Sequence, residues 1–180
     1  MGSPKPLLPF GETTFLGHLL AQFLASRASP VVVVLGHKAD AVLAQVPLGE
    51  ASAVVNPDYR QGMLSSIRAG LRALQHESVA GALLCPVDHP QVSAALVDLL
   101  IGRFEETKAP IVIPVHHGRR GHPVLFSQTL FEEIQDAPDK VGARQVVWDH
   151  ANEVLEISTE DRGIIADIDT PEQYKDLMSS

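Results

Sequence analysis

The residues in this sequence best suited to chemistry are carboxylates that follow apolar runs. Asp88 comes directly after the apolar run GALLCPV, and Asp167 and Asp169 lie two residues apart near the end of the chain. A carboxylate at the end of a buried strand can hold a hard cation such as Mg²⁺ beside phosphate groups. The alternative for Asp88 is a turn-forming role, because aspartate readily bonds its own backbone in turns. The pair Asp167 and Asp169 supplies a second carboxylate at another predicted strand end, which favours the cation site.

A turn-rich segment, VHHGRRGHPVLF, concentrates hydrogen-bond donors. It carries five of them within seven residues: His116, His117, Arg119, Arg120 and His122. Guanidinium and imidazole groups at this density suit a phosphate or a heterocycle. Zinc is the alternative ligand, but no cysteine is nearby and the spacing matches no closed zinc pattern. Zinc is therefore not favoured.

The stretch NPDYRQGMLSSIRAGL predicts a helix that begins at Gly62 and Met63. The free N–H groups and the dipole of a helix N-terminus favour an anion, and Ser65 and Ser66 can add hydroxyl donors. The alternative is that both serines only cap the helix. This stretch alone leaves the two interpretations open.

The elements that must position these groups alternate between helix and strand. A helix is predicted after Thr13 or Thr14, and the β-branched run VVVVLG is typical of a strand covered on both faces. Further helices are predicted at 39–45, 63–74, 94–105, 128–135, 143–150 and 171–178. Further strands are predicted at 53–55, 81–87, 109–115, 153–157 (EVLEI) and 163–168 (GIIADI). This order predicts an α/β fold: a three-layer α/β/α sandwich around a mostly parallel, Rossmann-like sheet.

Composition limits the class of protein. The 180 residues are 45% hydrophobic and 20% charged, which suits one domain over residues 1–180. The longest apolar runs are strand-sized, so we expect no membrane partner. The net charge of −8 argues against a nucleic acid polymer as partner. With a single cysteine, Cys85, and no recognisable leader, the expected location is cytoplasmic.

A series of short motifs runs through the chain in order. The first is Met-Gly-x-Pro-Lys-x-Leu-Leu at the start. The later ones are Asn56-Pro57, Gly62-Met63 with Ser66 and Gly70, Val87-Asp88 with Pro90, Gly118 to Pro123, Gly142 to Arg144, and Asp167 to Pro171. Together they resemble the molybdenum cofactor nucleotidyltransferases, particularly the molybdopterin cytidylyltransferase branch. The resemblance covers nearly the whole chain, and the motifs are specific as a set although each alone is weak.

The resemblance implies a Mg²⁺-dependent transfer of CMP from CTP to molybdopterin, with release of pyrophosphate. One alternative of the same class is a guanylyltransferase, which would use GTP, or a sugar-phosphate nucleotidyltransferase. An alternative of another class is a non-catalytic accessory protein that binds the molybdenum cofactor, with a molybdenum hydroxylase as candidate partner.

The resemblance also implies roles for individual residues. The expected catalytic residues are Lys5, which would neutralise nucleotide phosphates, and Asp88, which would hold Mg²⁺ together with Asp169. The expected nucleotide contacts are Gly2, Lys5, Asn56, Gly62 and Ser66. The expected substrate contacts are His89, Gly121, His122 and Pro123. His89 departs from the family, which commonly has glutamine at this position.

The beginning of the chain is a second departure. The family's first strand and the first half of its nucleotide loop would precede Met1. That strand would be central, so we expect its absence to leave two strand edges and a strip of core uncovered. The 180-residue chain is expected to be less stable, and to bind CTP less tightly, than a chain extended upstream. The interpretations are a truncation or misassigned start codon and, alternatively, a degenerate non-catalytic homologue.

Overall fold

Strands and helices alternate through residues 4–166, 168 and 170–178, which the computed structural model describes. The strands are β1 (Pro9–Phe10), β2 (Thr13–Thr14), β3 (Val32–Leu35), β4 (Ser52–Val55), β5 (Gly81–Leu84), β6 (Ile111–His116), β7 (Arg119–Arg120), β8 (Val124–Ser127) and β9 (Val154–Ser158). The α-helices are α1 (Phe15–Leu24), α2 (Ala39–Leu43), α3 (Met63–Ala73), α4 (Ala94–Thr107), α5 (Phe131–Asp136), α6 (Arg144–Asp149) and α7 (Pro171–Met178). No helix in this part of the chain has the length and apolar character needed to cross a membrane.

The strands form two main sheets. β3 and β4 pair in parallel, with Val32 opposite Ser52 and Leu35 opposite Val55. The larger sheet has the order β5-β8-β6-β7, and β9 pairs with the other edge of β6. Within the described residues, β3 pairs only with β4 and β5 pairs only with β8. Packing by helices, and not strand pairing, therefore joins the two sheets in this part of the chain.

Side chains of the larger sheet alternate between two helical layers. Ile111 and Ile113 of β6 pack in a buried cluster with α3, α5 and α6, whereas Val112 between them packs against α4. Strand β8 alternates in the same way, with Val124 facing the first layer and Leu125 the second. This two-residue period follows from the pleat of a β-strand. The α/β fold class and its three layers are confirmed.

Helix α1 packs against both the β3–β4 sheet and helix α4 of the larger sheet. It begins after Thr14, whose Oγ1 accepts a hydrogen bond from the Gly17 N–H at 3.1 Å, so the predicted cap is confirmed. Leu16 and Leu20 pack in the core of the β3–β4 sheet. Leu19, on a neighbouring face, packs against α4. One helix therefore ties the smaller sheet to the helical layer of the larger one.

Helix α3 makes a second connection between the sheets. Leu64 and Leu71 are buried in the core of the larger sheet. Gly70 lies over β3, where a Cβ would meet Cγ2 of Val34 at 3.1 Å. A glycine at this position lets the helix approach the strand closely. The two connections, α1 and α3, contact opposite faces of β3, since Val33 packs with α1 and Val34 with α3.

The strand directions correct one part of the predicted fold. The larger sheet is mixed: β5, β6 and β9 run in one direction, as predicted, whereas β7 and β8 run antiparallel to them. The cause is the two-residue turn at His117 and Gly118, which sends the chain directly back into β7. A connection this short joins only antiparallel strands. Strand β8 itself, within the turn-rich segment, was not predicted.

The segment GIIADI is a second correction, because it forms no strand in its described residues. EVLEI is β9 as predicted, but Arg162–Ile165 is a short 3₁₀ helix. The side chain of Asp161 accepts a hydrogen bond from the Gly163 N–H at 2.8 Å, which favours a turn at this point. Ile164 reaches the α4 side of the core from that turn, so its apolar character does not require a strand.

His150 links three elements at the end of α6. Its Nε2 lies 2.8 Å from Oε2 of Glu133 on α5, and its Nδ1 lies 2.8 Å from Oε1 of Glu153 before β9. The hydrogen bonds to Glu133 and then Glu153 raise the pKa of His150. The protonated ring can donate to both carboxylates at once, whereas the neutral ring can donate to only one.

We predict that His150→Gln lowers the melting temperature most at acidic pH. A raised folded-state pKa means that the stabilisation is fully present below about pH 6.5 and is lost as the pH rises through the folded pKa. Thermal melts at intervals from about pH 5.5 to about pH 9 measure the difference from wild type, which should shrink as the pH rises. His76→Gln, at an exposed loop position after α3, serves as the control. A deficit that is constant or grows with pH would contradict this assignment.

Candidate nucleotide site

Lys5 and Asp88 meet beyond the end of β5, although they are 83 positions apart in the chain. Lys5 lies in a 3₁₀ turn before β1, and its Nζ is 3.4 Å from Oδ2 of Asp88. The side chains are 31% and 22% exposed, so solvent and ligands can reach the pair. The structure therefore brings together the two residues predicted to be catalytic.

The second carboxylate oxygen of Asp88 is buried and has no hydrogen-bond partner among the described residues. Nε2 of His89 lies 3.8 Å from it, which is too long for a hydrogen bond. A buried carboxylate oxygen without a partner is costly, and a divalent cation is one group that would satisfy it. Asp88 therefore fits the predicted metal role.

The backbone of Asp88 is fixed by a residue near the C-terminus. The Ile168 N–H donates to the Asp88 carbonyl oxygen at 3.1 Å. Asp169, the other predicted metal ligand, lies outside the described residues, as do Asp167 and Gly2. Their roles in metal and nucleotide binding stay predictions.

Cys85, in the same stretch after β5, is part of the core. It packs in an apolar cluster that contains Leu19, Val92 and Val97. Burial, with a smaller contribution from the negative charge of Asp88, raises the pKa of the Cys85 thiol to about 12. The thiol is therefore protonated at neutral pH and is no nucleophile, since the thiolate is the reactive form.

A cavity of about 200 Å³ contains three of the four residues predicted to contact the substrate. The rings of His89 and His122 lie with their centroids 4.8 Å apart. The lining residues are His89, Arg119, Arg120, Gly121, His122, Ile164 and Ile165. Pro123, the fourth predicted residue, is buried next to His122 in the chain. The cavity combines donor groups with an apolar wall, as expected of a small-molecule site.

The main chain forms one wall of this cavity. The Gly121 N–H donates to the Pro114 carbonyl oxygen at 2.9 Å, and the His122 N–H donates to the Ile164 carbonyl oxygen at 2.9 Å. A Cβ at Gly121 would overlap the Ile164 carbonyl oxygen. Glycine is required here by close backbone approach. The contribution of Ile164 and Ile165 to the wall was not predicted, because nothing in their side-chain types indicates it.

Asn56 organises a second cluster of predicted residues at the start of α3. It is 1% exposed, and its Nδ2 donates to Oγ of Ser65 at 2.8 Å and to Oγ of Ser66 at 3.0 Å. Its Oδ1 accepts from the Asp58 N–H at 2.9 Å. Asn56 therefore fastens the end of β4 to the first turn of α3. Its predicted contact with nucleotide, like that of Ser66, stays a prediction.

Gly62 gives α3 its backbone geometry at the N-terminus. Its φ of 104° lies in the region that favours glycine, and its carbonyl oxygen accepts from the Ser65 hydroxyl at 2.8 Å. A cavity of about 150 Å³ adjoins this turn, lined by Asn56, Asp58, Gln61, Ser65, Arg68 and Arg72. The arginines were not singled out from sequence, although a four-residue spacing on a helix places them on one face.

Arg68 is committed to a structural role. Its Nη1 lies 2.6 Å from Oδ1 of Asp139, and its Nε and Nη2 donate to the carbonyl oxygens of Gln135 and Ala137. These bonds hold the connection after α5 against α3. These contacts use three of the five N–H donors of the guanidinium and hold its orientation in the adjoining cavity.

The sandwich, with Lys5 and Asp88 side by side beyond the end of β5, is an α/β fold of the nucleotidyltransferase type. The chain belongs to the family described as "MobA-like NTP transferase domain", which matches residues 1–154. The resemblance to the molybdenum cofactor nucleotidyltransferase family seen in the motifs is thereby confirmed.

Several relatives are similar over most of the chain. The molybdenum cofactor cytidylyltransferase of Escherichia coli strain K12 is 27% identical over 97% of this chain and 86% of its own length. The nicotine blue oxidoreductase of Paenarthrobacter nicotinovorans is 31% identical over 97% of this chain and 88% of its own length. A probable molybdenum cofactor guanylyltransferase of Mycobacterium marinum is 31% identical over 81% of this chain and 70% of its own length.

A solved structure shares the fold. The crystal structure of Rv0371c from Mycobacterium tuberculosis H37Rv superposes with a TM-score of 0.87 at 30% identity, covering 100% of this chain and 91% of that one. The same protein has also been solved in complex with manganese.

We predict that Gly121→Ala lowers the melting temperature by several degrees, because its methyl group must displace the backbone at Ile164. Gly102→Ala is the matched control, since a Cβ at that position of α4 meets nothing within 4 Å and alanine is the better helix former. The control should melt at or above the wild-type temperature. Equal effects of the two substitutions in thermal melts would contradict the close approach.

Proposed function

We propose that this protein transfers CMP from CTP to molybdopterin with release of pyrophosphate. The observation that carries the proposal is the buried, unpartnered Oδ1 of Asp88 beside the Lys5 ammonium at the end of β5. That arrangement suits a cation and a phosphate bound side by side. Similarity to the cytidylyltransferase of Escherichia coli over 97% of the chain supports the choice of reaction.

The reaction transfers one nucleotidyl group, CMP. An oxygen of the pterin phosphate attacks the α-phosphorus of CTP, and the bond from that phosphorus to the bridging oxygen of the β-phosphate breaks. The electron pair leaves with pyrophosphate. Catalysis here depends on alignment and on neutralising charge rather than on a covalent intermediate.

Residues of this chain would supply both the alignment of the substrates and the neutralisation of phosphate charge. The Nζ of Lys5, which lies 3.4 Å from Asp88, would contact the triphosphate beside the bound cation. Asp88, together with Asp169, would hold Mg²⁺, which neutralises phosphate charge when bound. The cavity between His89, His122 and Arg119 would orient the pterin and exclude water from it. The main-chain hydrogen bonds of Gly121 and His122 hold one wall of that cavity in place.

A guanylyltransferase is the second candidate, because the relative from Mycobacterium marinum is 31% identical over 81% of this chain. The test is an assay of purified protein with molybdopterin, Mg²⁺ and each of CTP, GTP, ATP and UTP. We expect a dinucleotide product and pyrophosphate with CTP. Product with GTP alone would replace the proposal by the second candidate. Pterin binding without any transfer would instead identify a non-catalytic accessory protein.

We predict that Asp88→Asn lowers the turnover number on the order of a hundredfold or more, because cation binding weakens and phosphate charge stays unneutralised. Asp169→Asn should have a similar effect and Asp167→Asn a smaller one. Asp40→Asn, at an exposed position of α2, is the control that removes a carboxylate without touching the site. Wild-type turnover of Asp88→Asn at ordinary Mg²⁺ concentration would remove Asp88 from the site.

We predict that Lys5→Ala weakens CTP binding and largely keeps the affinity for pterin, since the ammonium group faces the triphosphate. Calorimetric titration of each ligand measures both affinities separately. Lys38→Ala, at an exposed position before α2, is the control for loss of a lysine charge. An equal loss of both affinities in Lys5→Ala would indicate a folding defect and not a phosphate contact.

A further inference from the structure

A cluster of metal-ligating side chains lies at the end of β6. It comprises His116 and His117 at the end of that strand and Glu160 in the loop after β9. One ligand atom from each residue lies within 4.8 Å of those from the other two. His116 is buried, whereas His117 and Glu160 are exposed. The proposed function makes no use of this cluster.

The ring of His116 is held in an orientation suited to metal binding. Its Nδ1 lies 3.0 Å from the Thr159 carbonyl oxygen. Because a carbonyl oxygen only accepts, Nδ1 carries the proton and the neutral ring keeps its lone pair on Nε2. Ligating histidines typically have such a bond to a backbone carbonyl, which fixes their tautomer and raises their basicity.

The loop that carries Glu160 is fixed to the same strand. The Thr159 N–H donates to the Val115 carbonyl oxygen at 2.9 Å, and Oγ1 of Thr159 accepts from the Asp161 N–H at 3.1 Å. Residues on both sides of Glu160 are therefore anchored. Its carboxylate is presented to the two histidines by defined backbone and not by a free loop.

The donor set identifies the class of ligand. Two imidazoles and one carboxylate suit a borderline cation such as Zn²⁺, whereas Mg²⁺ prefers oxygen ligands alone. The carboxylate of Glu160 disfavours a phosphate, which was the expectation for this segment. Arg120 adds little repulsion toward a cation, since its Nε is bonded to Oε1 of Glu156 at 2.7 Å. Zinc was not favoured from sequence because Glu160, the third ligand, lies far from His116 and His117 in the chain.

We propose that His116, His117 and Glu160 bind one Zn²⁺ ion, with water in the open coordination position. Ligand atoms around a tetrahedral zinc lie about 3.3 Å apart, so the exposed side chains of His117 and Glu160 would rotate inward from the 4.8 Å spacing on binding. The bound ion would tie the β6–β7 turn to the loop after β9. Arg119 and Arg120, which follow that turn, line the neighbouring cavity. The proposal does not depend on which nucleotide the protein uses.

Calorimetric titration of the chelator-treated protein with Zn²⁺ tests the proposal. Excess Mg²⁺ is present throughout to compete at the hard-cation site. We expect one saturable site, with affinity lowered about tenfold or more by His117→Asn and by Glu160→Gln. Asparagine is chosen because His117 has a φ of 46°, which asparagine tolerates. His76→Asn, an exposed histidine elsewhere, should leave the affinity unchanged.

Two further measurements test the tautomer of His116 and distinguish the proposed zinc site from the Asp88 site. Nitrogen NMR of the imidazoles should show the Nδ1–H tautomer for His116 before zinc is added. Asp88→Asn should retain zinc binding, and loss of binding in that variant would place the ion at the Asp88 site and overturn the proposal. Absence of a saturable site, or an unchanged affinity in both His117→Asn and Glu160→Gln, would overturn it as well.

Discussion

Packing by helices α1 and α3 is the constraint on which the described structure depends. No strand pairing joins β3 to β5 in the part of the chain that is described, so the relative position of the two sheets follows from these helices. Helix α3 lies with Gly70 on β3 and Leu71 in the core of the larger sheet. Asn56 fastens its first turn to β4. The positions of the candidate site residues at the strand ends therefore depend on side-chain packing, which is dense and resists small displacements.

Much of the fold could be predicted from sequence because its helices and strands have strong periodicity. The run that forms β3 and the amphipathic α1 and α3 follow directly from apolar spacing. Strand β8 was missed because Val124 to Ser127 is short and directly follows a Gly-His-Pro turn. Periodicity also carries no information on the direction of a neighbouring strand, which is why the antiparallel pairs were not anticipated. GIIADI was misassigned because the buried Ile164 suits a turn as well as a strand.

The candidate site could be predicted only as a set of residue types. Asp88 was found by its place after an apolar strand, and Lys5 by its motif. Neither observation fixes the distance between the two side chains, which depends on how the N-terminal turn packs against the end of β5. The bonding of Asn56 to the serines of α3, and the approach of Glu160 to His116, are likewise consequences of tertiary structure. Sequence identifies which groups are available, and the fold decides which of them are free for a ligand.

The contact between Lys5 and Asp88 has a thermodynamic consequence for the proposed function. With no ligand bound, the ammonium and the carboxylate largely neutralise each other across 3.4 Å. In the proposed reaction, a cation bound by the carboxylate would weaken its contact with the lysine and favour phosphate at Lys5, and a phosphate bound by the lysine would favour a cation at Asp88. Whichever ligand binds first would break the contact between Lys5 and Asp88, so the second ligand would not have to. The two binding equilibria would therefore be positively coupled. Because such coupling is reciprocal, the nucleotide must raise the affinity for the metal by the same factor as the metal raises the affinity for the nucleotide.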